Sequence, residues 1–309
     1  MATYLVTGGA GFIGSHLCDA LVQRGDSVRV LDNLSTGSRN NLPPSTTLIE
    51  ADVTDSDAVS AALSDANGCF HLAAIASVEH AVTDWLGSHR TNLTGTLTVF
   101  DAIRRMDKKI PVVYASSAAV YGDNGTVAVT EDTDPRPVSA YGVDKYACEL
   151  HARVAAGMYG VPGTGLRFFN VYGPRQDPLS PYSGVISIFC ERLLQGGPLD
   201  IFGDGTQTRD FVYVSDVVSA LLSAMQRRLG GASVFNVSTG HSTSVLDLAR
   251  IIAELAGATL QARHLPRRIG EIRHSAGDPR HMREVLELGV PVPLRTGLGR
   301  LLDWLRAAR

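Results

Sequence analysis

Short apolar runs alternate with helix-length segments from the first residues of the chain onward. The runs are rich in β-branched or aromatic residues and end in turn-forming residues. They are TYLVTGG, DSVRVLDN, TTLIEADV, GCFHLAA, IPVVYASS, GTGLRFFNVYG and ASVFNVSTG. Amphipathic pieces such as SHLCDALVQRG and TNLTGTLTVFDAIRRM lie between them. Continuous apolar strands that alternate with helices predict an α/β fold, a doubly wound parallel sheet covered by helices on both faces.

The regular alternation fades after about Gly173, where proline and glycine become frequent. Two later helical segments, STSVLDLARIIAELAG and GLGRLLDWLRAAR, are joined by the Arg-rich stretch LPRRIGEIRHSAGDPRHMRE. We interpret this part as a smaller C-terminal α/β domain that closes over a ligand at the carboxyl ends of the parallel strands. The predicted division gives 1–171 and 213–239 to the large domain, and 172–212 and 240–309 to the small one.

Composition excludes several classes of function. The 309 residues include 28 basic and 31 acidic ones without a basic stripe, so no nucleic-acid partner is expected. No apolar run reaches the roughly 18 residues of a membrane span, so we predict a soluble, cytoplasmic protein without a membrane partner. The four cysteines lack CxxC spacing and the nine histidines lack HxxxH or HExxH spacing. We therefore predict reduced thiols and no metal site.

A glycine-rich turn, TGGAGFIG, follows the first predicted strand and opens the first predicted helix. Its glycines, Gly8, Gly11 and Gly14, are one residue wider at the front than the usual GxGxxG fingerprint. The physical purpose is the same, because the backbone must approach a pyrophosphate closely and the helix amides must hold its negative charge. The turn predicts a dinucleotide site in a Rossmann domain.

An acid closes the second predicted strand. Asp32 stands 18 positions after Gly14, where a carboxylate can accept both hydroxyls of an adenosine ribose. A carboxylate there would repel a 2′-phosphate, so the predicted cofactor is NAD rather than NADP. Arg39 is the nearby base, and we interpret it as a solvated loop charge.

Three residues predict alcohol-to-ketone chemistry. Tyr141 and Lys145 are four apart on a predicted helix and project from one face. The ammonium, helped by an oxidised nicotinamide, favours the phenolate that a tyrosine needs to act as a base. Ser117 ends the strand before this helix and can donate to the oxygen that becomes a ketone. With NAD as hydride acceptor, these three residues are the predicted catalytic group.

The sequence resembles the extended short-chain dehydrogenase/reductase superfamily and, within it, the UDP-hexose 4-epimerases. The resemblance covers essentially the whole chain. It runs through TGGAGFIGSHL, DNLSTG, EADVTD, HLAAIASV, TNLTGT, SSAAVYG, YGVDKY, RFFNVYGPRQ, FGDGTQTRDFVYVSDV, FNVSTG, RRIGE and GLGRLLDWL. It implies that the large domain binds NAD and that the small domain binds a UDP-sugar.

The resemblance also implies further site residues. With those named above, the residues expected on the cofactor are Gly8, Gly11, Phe12, Ile13, Gly14, Asp32, Asn33, Ser35, Thr36, Gly37, Asp52, Val53, Leu72, Ala73, Ala74, Ala76, Asn92, Tyr141, Lys145 and Phe169. The residues expected on the sugar nucleotide are Ser117, Asn170, Phe202, Arg209, Arg268, Glu271 and Ser275. Two positions depart from the family pattern: Glu271 replaces an aspartate, and Trp85 replaces a proline at the start of a helix.

Two alanines narrow the reaction. Related dehydratases place acids just after the catalytic hydroxyl to protonate a leaving group, whereas this chain has Ala118 and Ala119. The remaining chemistry is reversible oxidation at C4 with retained NAD, which is 4-epimerisation.

Three alternatives are a nucleotide-sugar dehydratase or decarboxylase, a keto-sugar reductase, and a non-catalytic NAD-sensing protein. A keto-sugar reductase would prefer NADPH, which Asp32 disfavours.

The identity of the sugar depends on Ser275. The resemblance implies a gatekeeper here, where a tyrosine restricts substrates to plain hexoses and a serine leaves room for a 2-acetamido group. We therefore favour interconversion of UDP-GlcNAc and UDP-GalNAc, with UDP-Glc and UDP-Gal as a further pair and UDP-glucuronate as an alternative. The resemblance also implies a homodimer, formed by TNLTGTLTVFDAIRRM and the helix that carries Tyr141.

Overall fold

A parallel sheet dominates the computed structural model, which describes residues 1–76, 82–177, 184–267 and 272–307. All seven predicted strands join this sheet, and every neighbouring pair in it is parallel. From one edge to the other the strands are β3 (Thr47–Glu50), β2 (Ser27–Asp32), β1 (Thr3–Thr7), β4 (Gly68–His71), β5 (Val112–Ser117), β6 (Gly163–Phe168) and β10 (Ala232–Val237). Strand order reverses between β1 and β4, which is where doubly wound folds bind ligands.

Helices cover both faces of this sheet, as the continuous apolar strands predict. The described helices are α1 (Phe12–Gln23), α2 (Ser56–Leu63), α3 (Trp85–His89), α4 (Gly95–Arg105), α5 (Ala140–Tyr159), α6 (Val185–Leu194), α7 (Val214–Arg227), α8 (Val245–Ala256), α9 (Arg280–Val285) and α10 (Leu294–Ala307). Neighbouring residues of β1 show the two faces. Val6 packs in one core with Leu17 of α1, and Leu5 packs in the other with Leu63 of α2.

The C-terminal part builds its own core from two small sheets and three helices. One sheet orders β11 (Ser242–Ser244), β9 (Thr208–Tyr213) and β7 (Asn170–Tyr172), and the other pairs β12 (Ala262–Leu265) with β8 (Leu199–Phe202). Phe189 of α6, Leu248 of α8 and Leu298 of α10 are buried together against these strands. This arrangement is the smaller α/β unit that the sequence predicted.

The limits of the two units differ in detail from the predicted division. The boundary predicted at residue 171 falls inside β7, because β7 pairs with β9 of the small sheet. Met282 and Leu286, in and just after α9, pack in the core of the large sheet, although the prediction gave 240–309 to the small domain. The large unit therefore recruits a short helix from the C-terminal segment.

The helix that follows Asp84 begins at Trp85 without the usual proline. The Asp84 carboxylate caps this helix by accepting a hydrogen bond from the Gly87 amide at 3.0 Å. An aspartate at this position satisfies an amide that the helix itself leaves without a partner. The substitution of tryptophan for proline therefore leaves the start of α3 intact.

The four cysteines are buried, and none is bonded to another. Burial raises the pKa of Cys18 and of Cys190 to about 12, so both thiols stay protonated. Among the described residues, no helix combines the length and apolar character needed to cross a membrane. The cytoplasmic location stays a prediction.

Two glycines of α10 provide a test of how closely this helix packs. A Cβ atom at Gly297 would lie 2.2 Å from Tyr172 Oη, whereas one at Gly299 would meet nothing within 4 Å. We expect Gly297→Ala to lower the free energy of unfolding by about 1–3 kcal/mol through overpacking. Gly299→Ala should raise it by up to about 1 kcal/mol, because alanine is the better helix former. Urea unfolding of both variants measures the difference, and equal shifts would contradict the close packing.

Candidate active site

A large cleft lies at the carboxyl ends of the parallel strands, beside the point where strand order reverses. Its volume is about 1670 Å³, more than the roughly 300–1,000 Å³ of a pocket for one drug-sized ligand. The loops after β1, β2, β4, β5 and β6 form one wall. The other side comes from Arg209, Ile272, His274–Ala276 and Trp304. The cleft therefore has room for two ligands of nucleotide size.

Most of the predicted site residues line this cleft. They are Gly8, Gly11, Phe12, Ile13, Gly14, Asp32, Asn33, Ser35, Thr36, Val53, Leu72, Ala73, Ala74, Ala76, Ser117, Tyr141, Lys145, Phe169, Asn170, Arg209 and Ser275. Gly37, Asp52, Asn92 and Phe202 lie elsewhere, and Arg268 and Glu271 fall outside the described residues. Lining a cleft places a residue near a ligand, while the individual contacts stay predictions.

The glycine turn is crowded by backbone atoms of the turn itself and of the loop after β4. Gly8 has a φ of +69°, and a Cβ atom there would lie 2.6 Å from the Ala73 amide nitrogen. A Cβ atom at Gly14 would lie 2.2 Å from the Gly8 carbonyl oxygen. Both positions exclude a side chain before any ligand binds. With Gly11 as its N-cap, helix α1 begins at the cleft, where its first amides can hold a pyrophosphate.

Asp32 ties the glycine turn to the loop after β2. Its two carboxylate oxygens accept hydrogen bonds from the Ala10 and Leu34 amides, each at 2.9 Å. Burial raises the pKa of this carboxyl, against the opposite effect of the two amide bonds. Each carboxylate oxygen has a second lone pair, and the residue lines the cleft, so Asp32 fits the ribose of NAD. Arg39 instead forms an exposed ion pair with Glu50 at 2.7 Å, which agrees with a solvated charge.

Three further residues predicted at the cofactor, Asn33, Gly37 and Asp52, support the loops near Asp32. The side-chain amide of Asn33 donates to Asp52 Oδ2 at 3.0 Å, and the Thr54 hydroxyl donates to Asp52 Oδ1 at 2.7 Å. Burial raises the pKa of Asp52, but these hydrogen bonds outweigh it and leave the pKa below its ordinary value. Gly37 lets its loop lie against Ala10, where a Cβ atom would come within 2.9 Å. Asp52 and Gly37 therefore act on the shape of the site from behind its lining.

A buried chain of hydrogen bonds shapes the loop after β4. The Ala73 amide donates to Thr7 Oγ1 at 3.2 Å, and Thr7 Oγ1 lies 2.8 Å from His71 Nδ1. On the other side, His71 Nε2 lies 2.9 Å from Thr96 Oγ1, which donates to the Asn92 carbonyl at 2.7 Å. Because the Thr96 proton is used on Asn92, His71 must donate from Nε2 and accept from Thr7 at Nδ1.

His71 is a neutral core histidine. Burial, with the charge of Lys145 as a smaller cause, lowers its pKa to about 3. The imidazole therefore stays neutral at physiological pH, and its single proton keeps the chain of hydrogen bonds in one direction. His71 is not among the residues predicted from the sequence, although its position at the end of a central strand is a signal for this role.

Asn92, which lies just before helix α4, forms hydrogen bonds with the same loop. Its Oδ1 accepts from the Ile75 amide at 2.8 Å, and its Nδ2 donates to the Ile75 carbonyl at 3.1 Å. The residue is fully buried in the π-helical turn Arg90–Thr94. Asn92 thus holds the backbone of a loop that lines the cleft, and its contact with the cofactor stays a prediction.

The predicted catalytic residues meet at one wall of the cleft. Ser117 ends β5, and Tyr141 and Lys145 occupy the first turns of α5, which Ser139 caps by accepting from the Gly142 amide at 3.1 Å. Lys145 Nζ lies 5.9 Å from the centre of the Tyr141 ring and donates to the Ala115 carbonyl at 2.9 Å. This places a positive charge where it can stabilise negative charge that develops on the phenol oxygen.

The positions after Ser117 present methyl groups to the cleft. Ala118 and Ala119 lie in the 3₁₀ turn Ala118–Tyr121, and the Ala119 amide donates to Ser117 Oγ at 3.2 Å. That bond uses a lone pair of the serine oxygen and leaves its proton free to be donated. Neither alanine can carry a proton to a leaving group.

The small unit presents Arg209 to the cleft. Its Nη1 donates to the Thr208 carbonyl at 2.8 Å, and this bond holds the guanidinium group close to the backbone of β9. The neighbouring Asp210 is fully buried, and its carboxylate accepts from the Thr239 hydroxyl and the Gly240 amide. Asp210 thus anchors the loop after β10, and Arg209 faces the cleft from the opposite side of the strand.

Phe202 lies apart from the large cleft. It borders a cavity of about 80 Å³ together with Gly203, Asp204, Gln207, Arg267 and Arg273. Gln207 Nε2 donates to the Phe202 carbonyl at 2.8 Å and fixes the turn around it. The contact of Phe202 with the nucleotide stays a prediction, since Phe202 borders a smaller cavity than the cleft lined by Ser117, Tyr141 and Lys145.

Comparison with known proteins adds a family and three relatives. The NAD-dependent epimerase/dehydratase family matches residues 4–238. A putative UDP-glucose 4-epimerase of Methanocaldococcus jannaschii is 37% identical over 303 residues, which cover 98% of each chain. A UDP-glucose 4-epimerase of Thermotoga maritima, solved with UDP-glucose, has a TM-score of 0.95 at 38% identity over 99% of each chain. A UDP-N-acetylglucosamine 4-epimerase of Methanobrevibacter ruminantium, solved with UDP-N-acetylmuramic acid, has a TM-score of 0.94 at 34% identity over 100% of this chain and 99% of that one.

Proposed function

The chain belongs to the NAD-dependent epimerase/dehydratase family, and we propose that it inverts C4 of a UDP-sugar through a transient 4-keto sugar. NAD is the cofactor of this family, as the sequence predicted. The proposal rests on one observation: Ser117, Tyr141 and Lys145 line the same cleft as the glycine turn, with methyl groups at positions 118 and 119. Tyr141 can take a proton from a hydroxyl and return it, but Ala118 and Ala119 cannot protonate a leaving group.

Tyr141 moves the proton of the sugar hydroxyl. Its side chain is 8% exposed, and the Lys145 ammonium lies beside the ring, so the negative charge that develops on the phenol oxygen is stabilised within a dry wall. The Ser117 hydroxyl donates to the same sugar oxygen and stabilises it as the carbonyl forms. When the sugar has turned, Tyr141 returns the proton to the oxygen.

NAD, when bound, supplies the place to which hydride leaves C4 and from which it returns. The chain's own residues hold that cofactor through the crowded glycine turn and through Asp32, whose carboxylate would repel a 2′-phosphate. Because the hydride returns to the same carbon, no external reductant is consumed. Retention of the cofactor between turnovers is therefore part of the proposal.

Inversion requires the nucleotide to be held firmly while the sugar is held loosely. Arg209 enters the cleft from the small unit, and a guanidinium fork is suited to diphosphate oxygens. The predicted second arginine, Arg268, lies outside the described residues. Around the sugar end the lining includes Ala118, Ala119 and Val129, which offer shape but few directional bonds. Such a lining lets a 4-keto ring present either face.

Ser275 supports a sugar with a 2-acetamido group. It lines the cleft, and its amide donates to the Thr208 carbonyl at 3.1 Å, so its backbone is fixed beside Arg209. A serine leaves space that a tyrosine at the same place would fill. We therefore favour UDP-GlcNAc and UDP-GalNAc as the main pair, with UDP-Glc and UDP-Gal as a second pair.

Turnover without added NADH tests this function. We expect the purified protein to convert UDP-GlcNAc to UDP-GalNAc, followed by NMR or chromatography, and Tyr141→Phe to lower kcat by about 10²–10⁴-fold because the proton acceptor is lost. Tyr146→Phe, five residues along the same helix and outside the cleft lining, is the matched control and should keep its rate.

The outcomes separate mechanism from specificity. Formation of UDP-Gal alone would keep the mechanism and contradict the argument from Ser275. Turnover of UDP-glucuronate alone would move the assignment to the alternative substrate. The absence of an epimer from UDP-GlcNAc, UDP-Glc and UDP-glucuronate would contradict the proposed function and favour the NAD-sensing alternative.

We also propose that two copies of the chain associate through α4 and α5. An exposed apolar stripe follows one face of α5 and consists of Val143, Leu150, Val154 and Met158. Trp85 and Leu86 of the adjacent helix α3 are 66% and 82% exposed. The Arg104 guanidinium lies over the Tyr159 ring at 5.3 Å and joins α4 to α5 along this surface. Large apolar patches of this kind commonly mark contacts between proteins.

A charge placed on the stripe tests the association. We expect sedimentation velocity to give a dimer for the wild-type chain and a monomer for Val154→Glu, because a buried unpaired carboxylate is strongly unfavourable at an interface. Val290→Glu is the control, since Val290 is 82% exposed but lies between α9 and α10. A wild-type monomer at all concentrations, or an unchanged dimer in Val154→Glu, would contradict this interface.

A further inference from the structure

A buried chain of side chains begins next to the catalytic serine. The Ser116 hydroxyl donates to Glu149 Oε1 at 2.6 Å, and Glu149 is one helical turn beyond Lys145 on α5. Arg167 of β6 donates to both oxygens of the same carboxylate, at 2.9 and 2.7 Å. The Arg167 and Glu149 side chains are 1% and 0% exposed, so the pair is sealed from solvent.

The chain continues from Arg167 toward the other side of the cleft. Arg167 Nη1 donates to the Tyr121 hydroxyl at 2.7 Å, and that hydroxyl donates to Asn236 Oδ1 at 2.6 Å. Asn236 Nδ2 then donates to the Val129 carbonyl at 2.9 Å. Arg167 Nη1 also donates to the Glu131 carbonyl at 3.3 Å. A guanidinium can only donate and the Asn236 carbonyl oxygen can only accept, so the direction of these hydrogen bonds is fixed from Arg167 to Val129.

Val129 holds the segment that carries Ser275. The Val129 amide donates to the Ala276 carbonyl, and the Asp278 amide donates to the Val129 carbonyl, both at 2.9 Å. On its other side, the segment is bonded to β9 through the Ser275 amide and the Thr208 carbonyl at 3.1 Å. Tyr121, Val129, Ser275 and Ala276 all line the cleft. The chain of bonds therefore joins the wall with Ser117 to the wall with Ser275.

We propose that Tyr121 and Asn236 are positioning residues that keep the sugar-facing segment Ile272–Asp278 in register with Ser117 and Tyr141. This inference rests on the proposed function, because it concerns where the sugar of that reaction is held. Neither residue moves a proton of the substrate. Their effect passes through Val129 on one side and through Arg167 and Glu149 on the other.

The proposed reaction requires the sugar to be placed precisely relative to Ser117 and Tyr141. A loosely bound sugar must still bring C4 and its oxygen to Ser117 and Tyr141 each time it turns, and a misplacement of about 1 Å can cost on the order of 10²-fold in rate. The cleft walls come from distant parts of the chain, so local structure alone does not set their separation. A fully bonded buried chain defines one separation, because any shift leaves a buried polar group without a partner.

The choice of variants follows from burial. Replacing Arg167 or Glu149 would leave a charge buried without its partner and would report on folding. Tyr121→Phe removes one oxygen and interrupts the chain at its middle. Asn236→Asp is a second variant of the same shape: it still accepts from Tyr121, but an oxygen replaces the donor that faces the Val129 carbonyl. Tyr172→Phe is the matched control, since Tyr172 is 1% exposed and donates to the Leu294 carbonyl outside this chain.

Steady-state kinetics provides the first readout. We expect Tyr121→Phe to lower kcat about tenfold with KM for the UDP-sugar within about twofold of wild type, because positioning is lost and diphosphate binding is kept. We expect Tyr121→Phe and Asn236→Asp to change the ratio of kcat/KM for UDP-GlcNAc to kcat/KM for UDP-Glc. Both variants should change this ratio in the same direction. Tyr172→Phe should keep the wild-type kcat, KM and ratio.

Amide hydrogen exchange of the NAD-loaded protein provides a readout that does not need turnover. We expect peptides covering residues 272–278 to exchange faster in Tyr121→Phe and Asn236→Asp, and to keep the wild-type rate in Tyr172→Phe. Wild-type exchange of this segment in a folded Tyr121→Phe, with wild-type kinetics, would overturn the inference. If the wild-type protein epimerises no UDP-sugar, the proposed function fails while the exchange experiment still decides whether the two walls are coupled.

Discussion

Helix α5 is fastened to strand β5 by two side chains that are one turn apart. Lys145 donates to the Ala115 carbonyl at 2.9 Å, and Glu149 accepts from the Ser116 hydroxyl at 2.6 Å. Consecutive residues of the strand therefore engage positions i and i+4 of the helix, which leaves one possible register between them. Ser117 is the next residue of the strand and Tyr141 is one turn earlier on the helix, so this register sets how the two hydroxyls face the cleft.

Buried polar groups shape the loops that surround these hydroxyls. The chain through Thr7, His71 and Thr96 fixes the loop after β4, and the chain through Arg167, Tyr121 and Asn236 reaches the opposite wall. Both chains use groups that would be costly to bury without partners. In each, the hydrogen-bond direction is determined by the donors available. The sheet thus supplies the position of the cleft, and the polar chains supply its shape.

Periodicity predicted the seven strands of the large sheet and the main helices, because strands buried on both faces and amphipathic helices leave direct marks in the sequence. The glycine turn and Asp32 were also predictable, since backbone crowding and a strand-end carboxylate are local features. The resemblance to the extended short-chain dehydrogenase/reductases and their UDP-hexose 4-epimerases is confirmed by the family match and the relatives.

What the sequence left undetermined involves contacts between distant segments. Arg167 and Glu149 pair across a strand and a helix, and no spacing rule joins them. Asn92 bonds to the Ile75 backbone from within a π-helical turn, and such a turn has no clear sequence signal. The pairing of Asn170–Tyr172 with β9 is a further contact between distant segments that no local pattern predicts.

The fate of the hydrogen at C4 tests the central claim most directly. A UDP-sugar that carries deuterium at C4 would be epimerised in ordinary water without added cofactor, and the product examined by NMR and mass spectrometry. The proposed mechanism, in which Ser117, Tyr141 and Lys145 act with NAD retained, predicts that the deuterium stays at C4 of the inverted sugar. Loss of the deuterium to water would contradict hydride return within one site and would require a different chemistry for this cleft.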